Sequence, residues 1–176
     1  MAIVQDIKRY AKGSFGKGVF NMLFEPCFHA VLGYRLSHWL HKKLHFQLLP
    51  RIIQIRSRIL YGIDIDFRAT IGAGLYIVHG VGVVIGCSVI AGENLSIHQG
   101  VTLGGSNDKS RVTKEGLLIE QPFIGDNVSI NTGAVIIGPI FIGNNVTVGS
   151  RALVMKDIPE NSIVYSKNEL IIKQSQ

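Results

Sequence analysis

From Ile65 an aliphatic side chain returns at every sixth position: Ile65, Ile71, Ile77, Val83, Val89, Leu95 and Val101. The register lapses through 102–123 and resumes in a new phase with Ile124, Ile130, Ile136, Ile142, Val148 and Val154. A helix repeats its face about every 3.6 residues and a half-buried strand every second residue, so a period of six belongs to neither. It suits a short strand followed by a turn, repeated so that one side chain always enters the same interior column. Hexapeptide periods are the signature of a parallel β-helix. Three sides per coil imply about eighteen residues per turn, stacked ~4.8 Å apart, and a little over four coils.

The interruption, "GGSNDKSRVTKEGLLIEQPF" at about 104–123, is predicted to leave the coil as a loop, and such insertions often carry binding. The first sixty residues follow another rule. "FEPCFHAVLGYRLSHWLHKKL" has Phe28, Val31, Leu32, Leu36 and Leu40 at helical spacing. Pro50 opens a second helical stretch with Ile52, Ile55 and Leu60 on one side and Arg51, Arg56 and Arg58 mostly off it, ended by Gly62. Trp39 and the set Phe20, Phe24 and Phe28 read as core. The predicted organisation is therefore a helical region over 1–62 with a loose connection at 11–19, a β-helix over 63–165, and a tail at 166–176.

Apolar residues make up 47% of the 176-residue chain, enough for a packed core. Two cysteines, Cys27 and Cys87, offer no disulfide framework and fit a reducing compartment. No segment reads as a signal peptide or a spanning helix, so a cytoplasmic protein is expected. The net charge of +6 is uneven: residues 1–60 carry ten Lys or Arg against Asp6 and Glu25, while the remainder is slightly acidic. Basic amphipathic helices suit docking at the inner face of an anionic membrane, although a solvated face or a subunit contact explains them as simply. Nucleic-acid binding fits poorly, because the charge is confined to helices that also need burying. His38, His41 and His45 have helical spacing but no carboxylate or cysteine partner, so no metal site is assigned.

"DIDFRATIGAGLYIVHGVGVVIG" followed by "NLSIHQGVTLGG" resembles the serine acetyltransferase branch of the hexapeptide acyltransferases. That resemblance implies a mainly β fold, a left-handed parallel β-helix with a short N-terminal α-helical region. It also implies acetyl-CoA as donor and a homotrimer with active sites between subunits. His79 is the one ionisable side chain in its strand; alone it reads as a satisfied structural histidine, and with the resemblance it becomes the general base. Asp64 matches the aspartate that pairs with that base. At eighteen residues per coil it would stack under position 82, three residues from His79. Gly105, Thr132 and Ser150 match positions along the pantetheine arm, and Lys156 matches a lysine near the nucleotide end. His98 could face the same cleft, with a turn role the simpler reading.

The departures point elsewhere. Val78 stands where serine acetyltransferases have an aspartate beside the base. Glu120–Gln121 replace an arginine–histidine pair that grips the substrate carboxylate. An acid there would repel an amino acid. The expected acceptor is therefore a sugar hydroxyl, as in the short O-acetyltransferases of colanic acid, capsule, exopolysaccharide or O-antigen synthesis. Serine O-acetylation in cysteine biosynthesis is the alternative, and a catalytically silent β-helix scaffold is the second.

Overall fold

Three stacks of short parallel strands close into a prism, as the six-residue period predicts. In a computed structural model the described residues are 2–11, 22, 24–45, 47–106, 109–113, 116 and 118–167. Most of the connection at 11–19, Phe20 and most of the tail at 166–176 lie outside them. Face one holds β1 (Ile63–Ile65), β4 (Val83–Ile85), β7 (Thr102–Gly104), β12 (Val135–Ile137) and β15 (Leu153–Val154). Face two holds β2 (Thr70–Ile71), β5 (Ile90–Ala91), β10 (Phe123–Ile124) and β13 (Phe141–Ile142). Face three holds β3 (Tyr76–Ile77), β6 (Ser96–Ile97), β11 (Ser129–Ile130), β14 (Thr147–Val148) and β16 (Ile163–Val164). The periodic aliphatics all point inward and are buried, each contributing roughly 1.5–3 kcal/mol relative to exposure.

One detail departs from a uniform eighteen-residue coil. Ile63 pairs with Val83, Thr70 with Ile90 and Ile77 with Ile97, all twenty apart, whereas Val84 pairs with Thr102, eighteen apart. The two additional residues fall between Ile77 and Val83. Ile65 therefore stacks under Ile85, not Val83. The six-residue count runs on unbroken while the structural role of its members changes phase. The consequence for Asp64 is a correction: it lies in register with Val84, not with position 82.

Strands β1, β2 and β3 begin the three sheets, and such edges leave N–H and C=O groups unpaired. Among the described residues three helices cover this end: α1 (Ala2–Ala11), α2 (Pro26–Leu44) and α3 (Leu48–Tyr61). Helix α1 was not apparent from the hydrophobic pattern, yet it makes much of the seal. Asp6, fully buried, accepts the N–H groups of Gly74 and Leu75, both at 2.8 Å, and pairs with Arg35 at 2.8 Å. Arg35 also donates to the carbonyls of Ile71 and Gly72, each at 2.6 Å. Tyr10 bonds both the N–H and the C=O of Ile77, and Tyr34 does likewise with the Ile71 N–H and the Ala69 C=O. Side chains thus stand in for the coil that would otherwise precede the first, much as capping repeats close other solenoids.

Along one corner Asn94, Asn127, Asn145 and Asn161 all take the left-handed conformation, with φ of 55–59°. Their carboxamides hydrogen-bond in series at 3.0, 3.2 and 2.9 Å. The inserted segment folds back as a hairpin, β8 (Arg111–Val112) against β9 (Leu118–Ile119). Arg111 Nη1 donates to both carboxylate oxygens of Asp157, at 2.9 and 2.7 Å, and the guanidinium lies 4.8 Å over the Phe141 ring. The loop is thereby latched to the last coils. Burial alone would raise the Asp157 carboxyl, but the Arg111 hydrogen bond and the Phe141 N–H outweigh it and hold the group below its ordinary range.

Two core expectations fail. Trp39 is 52% exposed and Phe24 72% exposed, while Phe28 is buried as expected. The coil end is already sealed by Val31, Tyr34 and Arg35 of α2, and Trp39, one turn beyond Arg35, stays half exposed beside that seal. Ile52, Ile55 and Leu60 of α3 are likewise exposed.

Candidate active site

The lengthened corner carries His79. Val78 still follows β3, its N–H bonded to the Ile97 carbonyl at 2.8 Å, and the chain then swings outward through His79 and Val81 before re-entering β4. Gly80 lets the bend lie close to the core, because a Cβ there would strike the Ile63 side chain. Gly82 donates to the Gly62 carbonyl at 2.9 Å, which ties the bend to the start of β1. His79 is exposed, so a residue in a pattern built for burial stands in solvent at the lengthened corner. His98 continues the column of Val78 and is half-buried; no residue of the next coil repeats the position of His79.

Thr132 and Ser150 lie along this same edge of the prism, between faces three and one. Thr132 accepts the Arg151 N–H at 2.8 Å, while the Gly133 N–H goes down to the Gln99 carbonyl at 2.9 Å. Thr132 is half-buried and Ser150 exposed on this edge above His79, with the Arg151 side chain against Gly133 between them.

Gly105, Glu120, Gln121 and Lys156 occupy the other edge of face one. Gly105, exposed, sits against the Glu120 carbonyl. Gln121 accepts the Ser88 N–H at 3.2 Å, and its carboxamide fills space that Gly86 leaves empty, since a Cβ there would overlap it. Glu120 reaches Ser88 Oγ at 3.5 Å. A single chain therefore separates these groups from His79 by the width of a sheet.

Asp64 is held from α3. Its Oδ1 accepts from Gln54 Nε2 at 2.7 Å and its Oδ2 lies 3.3 Å from Arg58 Nη1. Among the described residues no hydrogen bond joins Asp64 to His79. The pattern of apolar positions could not have disclosed these partners, because Gln54 and Arg58 belong to a helix that ends before the repeats begin. Beside Asp64, Asp66 is gripped by Arg68 at 2.8 Å; burial would raise its carboxyl, but that hydrogen bond lowers it below the usual range.

Elsewhere, His38 Nδ1 lies 2.9 Å from the Phe67 carbonyl and His41 packs edge-on against the Phe67 ring. No cluster of three His, Cys, Asp or Glu suited to a metal occurs among the described residues, and no helix among them is long and apolar enough to cross a membrane.

No protein-family model matches the chain. Individual relatives do. A serine acetyltransferase of Helicobacter pylori is 39% identical over 154 residues, which cover 86% of this chain and 85% of that one. The chain belongs to the serine acetyltransferase family. The Mycobacterium tuberculosis serine acetyltransferase is 40% identical over 151 residues, 86% of this chain and 62% of the relative. That of Synechococcus elongatus is 37% identical, with 57% of its length covered, so the chain spans about three fifths of these longer relatives. A crystal structure of Neisseria gonorrhoeae serine acetyltransferase in complex with serine superposes with a TM-score of 0.81 at 32% identity, covering 94% of this chain and 66% of that one.

These serine acetyltransferases overturn the expected sugar acceptor and, with it, the likeness to polysaccharide O-acetyltransferases. The physical reason lies in Gln121. Its side chain secures the return of the hairpin arm to Ser88 and Gly86, so its identity records how the arm is anchored. It is a poor witness to what the cleft admits.

Proposed function

We propose that this protein transfers the acetyl group of acetyl-CoA to the hydroxyl of L-serine. What carries the reading is His79, exposed at the lengthened corner of a chain 32% identical to a serine acetyltransferase solved with serine. An alcohol is a poor nucleophile until its proton is being removed, and imidazole is suited to that task near neutral pH. His79 takes the hydroxyl proton as the oxygen attacks the thioester carbonyl. The C–O ester bond forms, the C–S bond breaks, and the proton on His79 passes to the departing thiolate. Thr132 and Ser150 line the approach of the pantetheine arm, with Gly105 and Lys156 on the far edge of the cleft.

Asp64 serves as the carboxylate that steadies the imidazolium. To do so it must exchange Arg58, an exposed contact of the kind worth only ~0–1 kcal/mol, so the exchange costs little. A homotrimer supplies the second wall of the cleft. Glu120, Gln121 and Lys156 sit across face one from His79, so one chain alone leaves the site open on one side.

The test is release of free thiol from acetyl-CoA on addition of L-serine, with O-acetylserine identified by mass. Thiol release no faster with serine than without it, at saturating acetyl-CoA, would sink the reading.

A further inference from the structure

Trp39, Lys42 and Lys43 take no part in the coil, its seal or the site around His79. Leu32, Leu36, Trp39 and Lys43 fall on one stripe of α2, three or four residues apart. Across from them stand Ala2 and Ile3 of α1, and Ile71 of β2 forms the floor. The groove between the two helices is open along one side and offers about 630 Å³, within the range of small-molecule sites, roughly 300–1,000 Å³. Leu36 and Trp39 are each about half exposed into it. Exposed large apolar side chains that gather in a concavity call for an occupant more than scattered ones do.

The charge at the groove is one-sided. Arg35, Lys42 and Lys43 line it and no carboxylate does. Arg35 is already matched by Asp6 beneath it, at 2.8 Å. Lys42 and Lys43 form no ion pair among the described residues, so the positive field at the mouth is theirs. His38 adds nothing to that field near neutral pH, because burial lowers its pKa.

We propose that this groove binds a single-chain anionic amphiphile, its apolar body along Leu32, Leu36 and Trp39 and its carboxylate or phosphate head at Lys42 and Lys43. Two rival occupants fit less well. A second copy docked face to face would bring its own Lys42 and Lys43 against these, like charge on like. A head-to-tail contact of the kind a trimer makes would need a carboxylate and an apolar ridge from a different surface of the chain. A bilayer is met by a projecting apolar face, whereas this one is recessed between α1 and α2 with the coil as floor. The groove lies apart from His79, and its occupancy does not depend on the acetyl transfer proposed above.

Trp39 is the only tryptophan of the chain, so intrinsic fluorescence reads the groove directly. The full chain, with saturating acetyl-CoA to fill the donor site, is titrated with monomeric dodecanoate, dodecyl phosphate, dodecyltrimethylammonium and inorganic phosphate. The proposal expects a saturable change with both anionic amphiphiles at one per chain, about tenfold weaker binding of the cationic one, and no response to phosphate alone. Lys42→Glu with Lys43→Glu should weaken the anions about tenfold and erase the preference. Leu36→Arg, at an exposed position, should abolish binding while circular dichroism stays that of the parent.

Equal binding of the anionic and cationic amphiphiles would overturn the proposal, as would the absence of a saturable signal. Response only to vesicles of phosphatidylglycerol, with none to monomers, would make the groove a membrane contact instead. A fall in assembly mass with Leu36→Arg, without any amphiphile effect in the parent, would make it a contact between copies.

Discussion

The hydroxyl of Tyr10 bridges the backbone of Ile77, accepting its N–H at 2.9 Å and donating to its C=O at 3.2 Å. Ile77 belongs to the first strand of its sheet, so these groups have no strand beneath them. Burial pushes the Tyr10 hydroxyl pKa up, which keeps it protonated and able to donate. Two residues further along the chain is His79. A helix in the N-terminal sixty residues thus bears on the strand that delivers the proposed base.

Tyr10→Phe should leave two buried backbone groups unpaired, at a cost of about 1–3 kcal/mol. Urea unfolding should show a lower midpoint with an unchanged slope. The effect on turnover should exceed that on the KM for acetyl-CoA, since the strand carries the base and not Thr132 or Ser150. An unchanged midpoint would mean that the edge of β3 finds other partners.

His79→Ala should remove nearly all transfer, a loss of ~10²–10⁴-fold, while the chain stays folded because the side chain is exposed. Thiol release and circular dichroism together check it. Activity within about threefold of the parent would make His79 a bystander.

Asp64→Asn should lower kcat more than it raises the KM for acetyl-CoA, because orientation acts on the chemical step. Arg58→Gln frees the carboxylate from a weak contact and should leave kcat within about threefold. If Arg58→Gln instead proved as damaging as Asp64→Asn, the Arg58–Asp64 pair itself would be the functional unit.

The hairpin latch should respond to acid. The folded Asp157 carboxyl lies below its ordinary value of 3.8, so its contribution is complete above about pH 4 and is lost as pH falls through the folded pKa. Both partners are nearly half exposed, which limits the pair to under ~1 kcal/mol. Limited proteolysis should therefore cut the hairpin progressively faster as pH falls below the ordinary carboxyl value than at pH 7, and Arg111→Gln should raise the pH 7 rate and flatten that dependence. A pH-independent cutting rate would assign the latch to the Phe141 stacking contact alone.

The period of six was enough to announce a three-sided parallel coil, because each turn of such a coil must return one aliphatic side chain to the same interior column. An imidazole among Ile77, Val78 and Val83 has no partner in the pattern and so draws notice, but by itself it reads as a structural histidine; the resemblance to serine acetyltransferases is what makes His79 the proposed base. The same count concealed the lengthened corner. Ile77 to Val83 is six residues whether or not the chain bulges outward, so only pairing across strands reveals that Asp64 faces Val84.

Charge told less still. Asp6, Arg9 and Arg35 look like the solvated residues of a basic segment. In the folded chain Asp6 is fully buried and Arg35 is spent on Asp6 and on two carbonyls of the first coil. Local sequence determined the coil, because its repeat is a property of neighbours along the chain. Only the tertiary structure decided which side chains close its open end, hold Asp64 and leave Trp39 uncovered, because those contacts join residues far apart in sequence and answer to backbone groups that no pattern of side chains records.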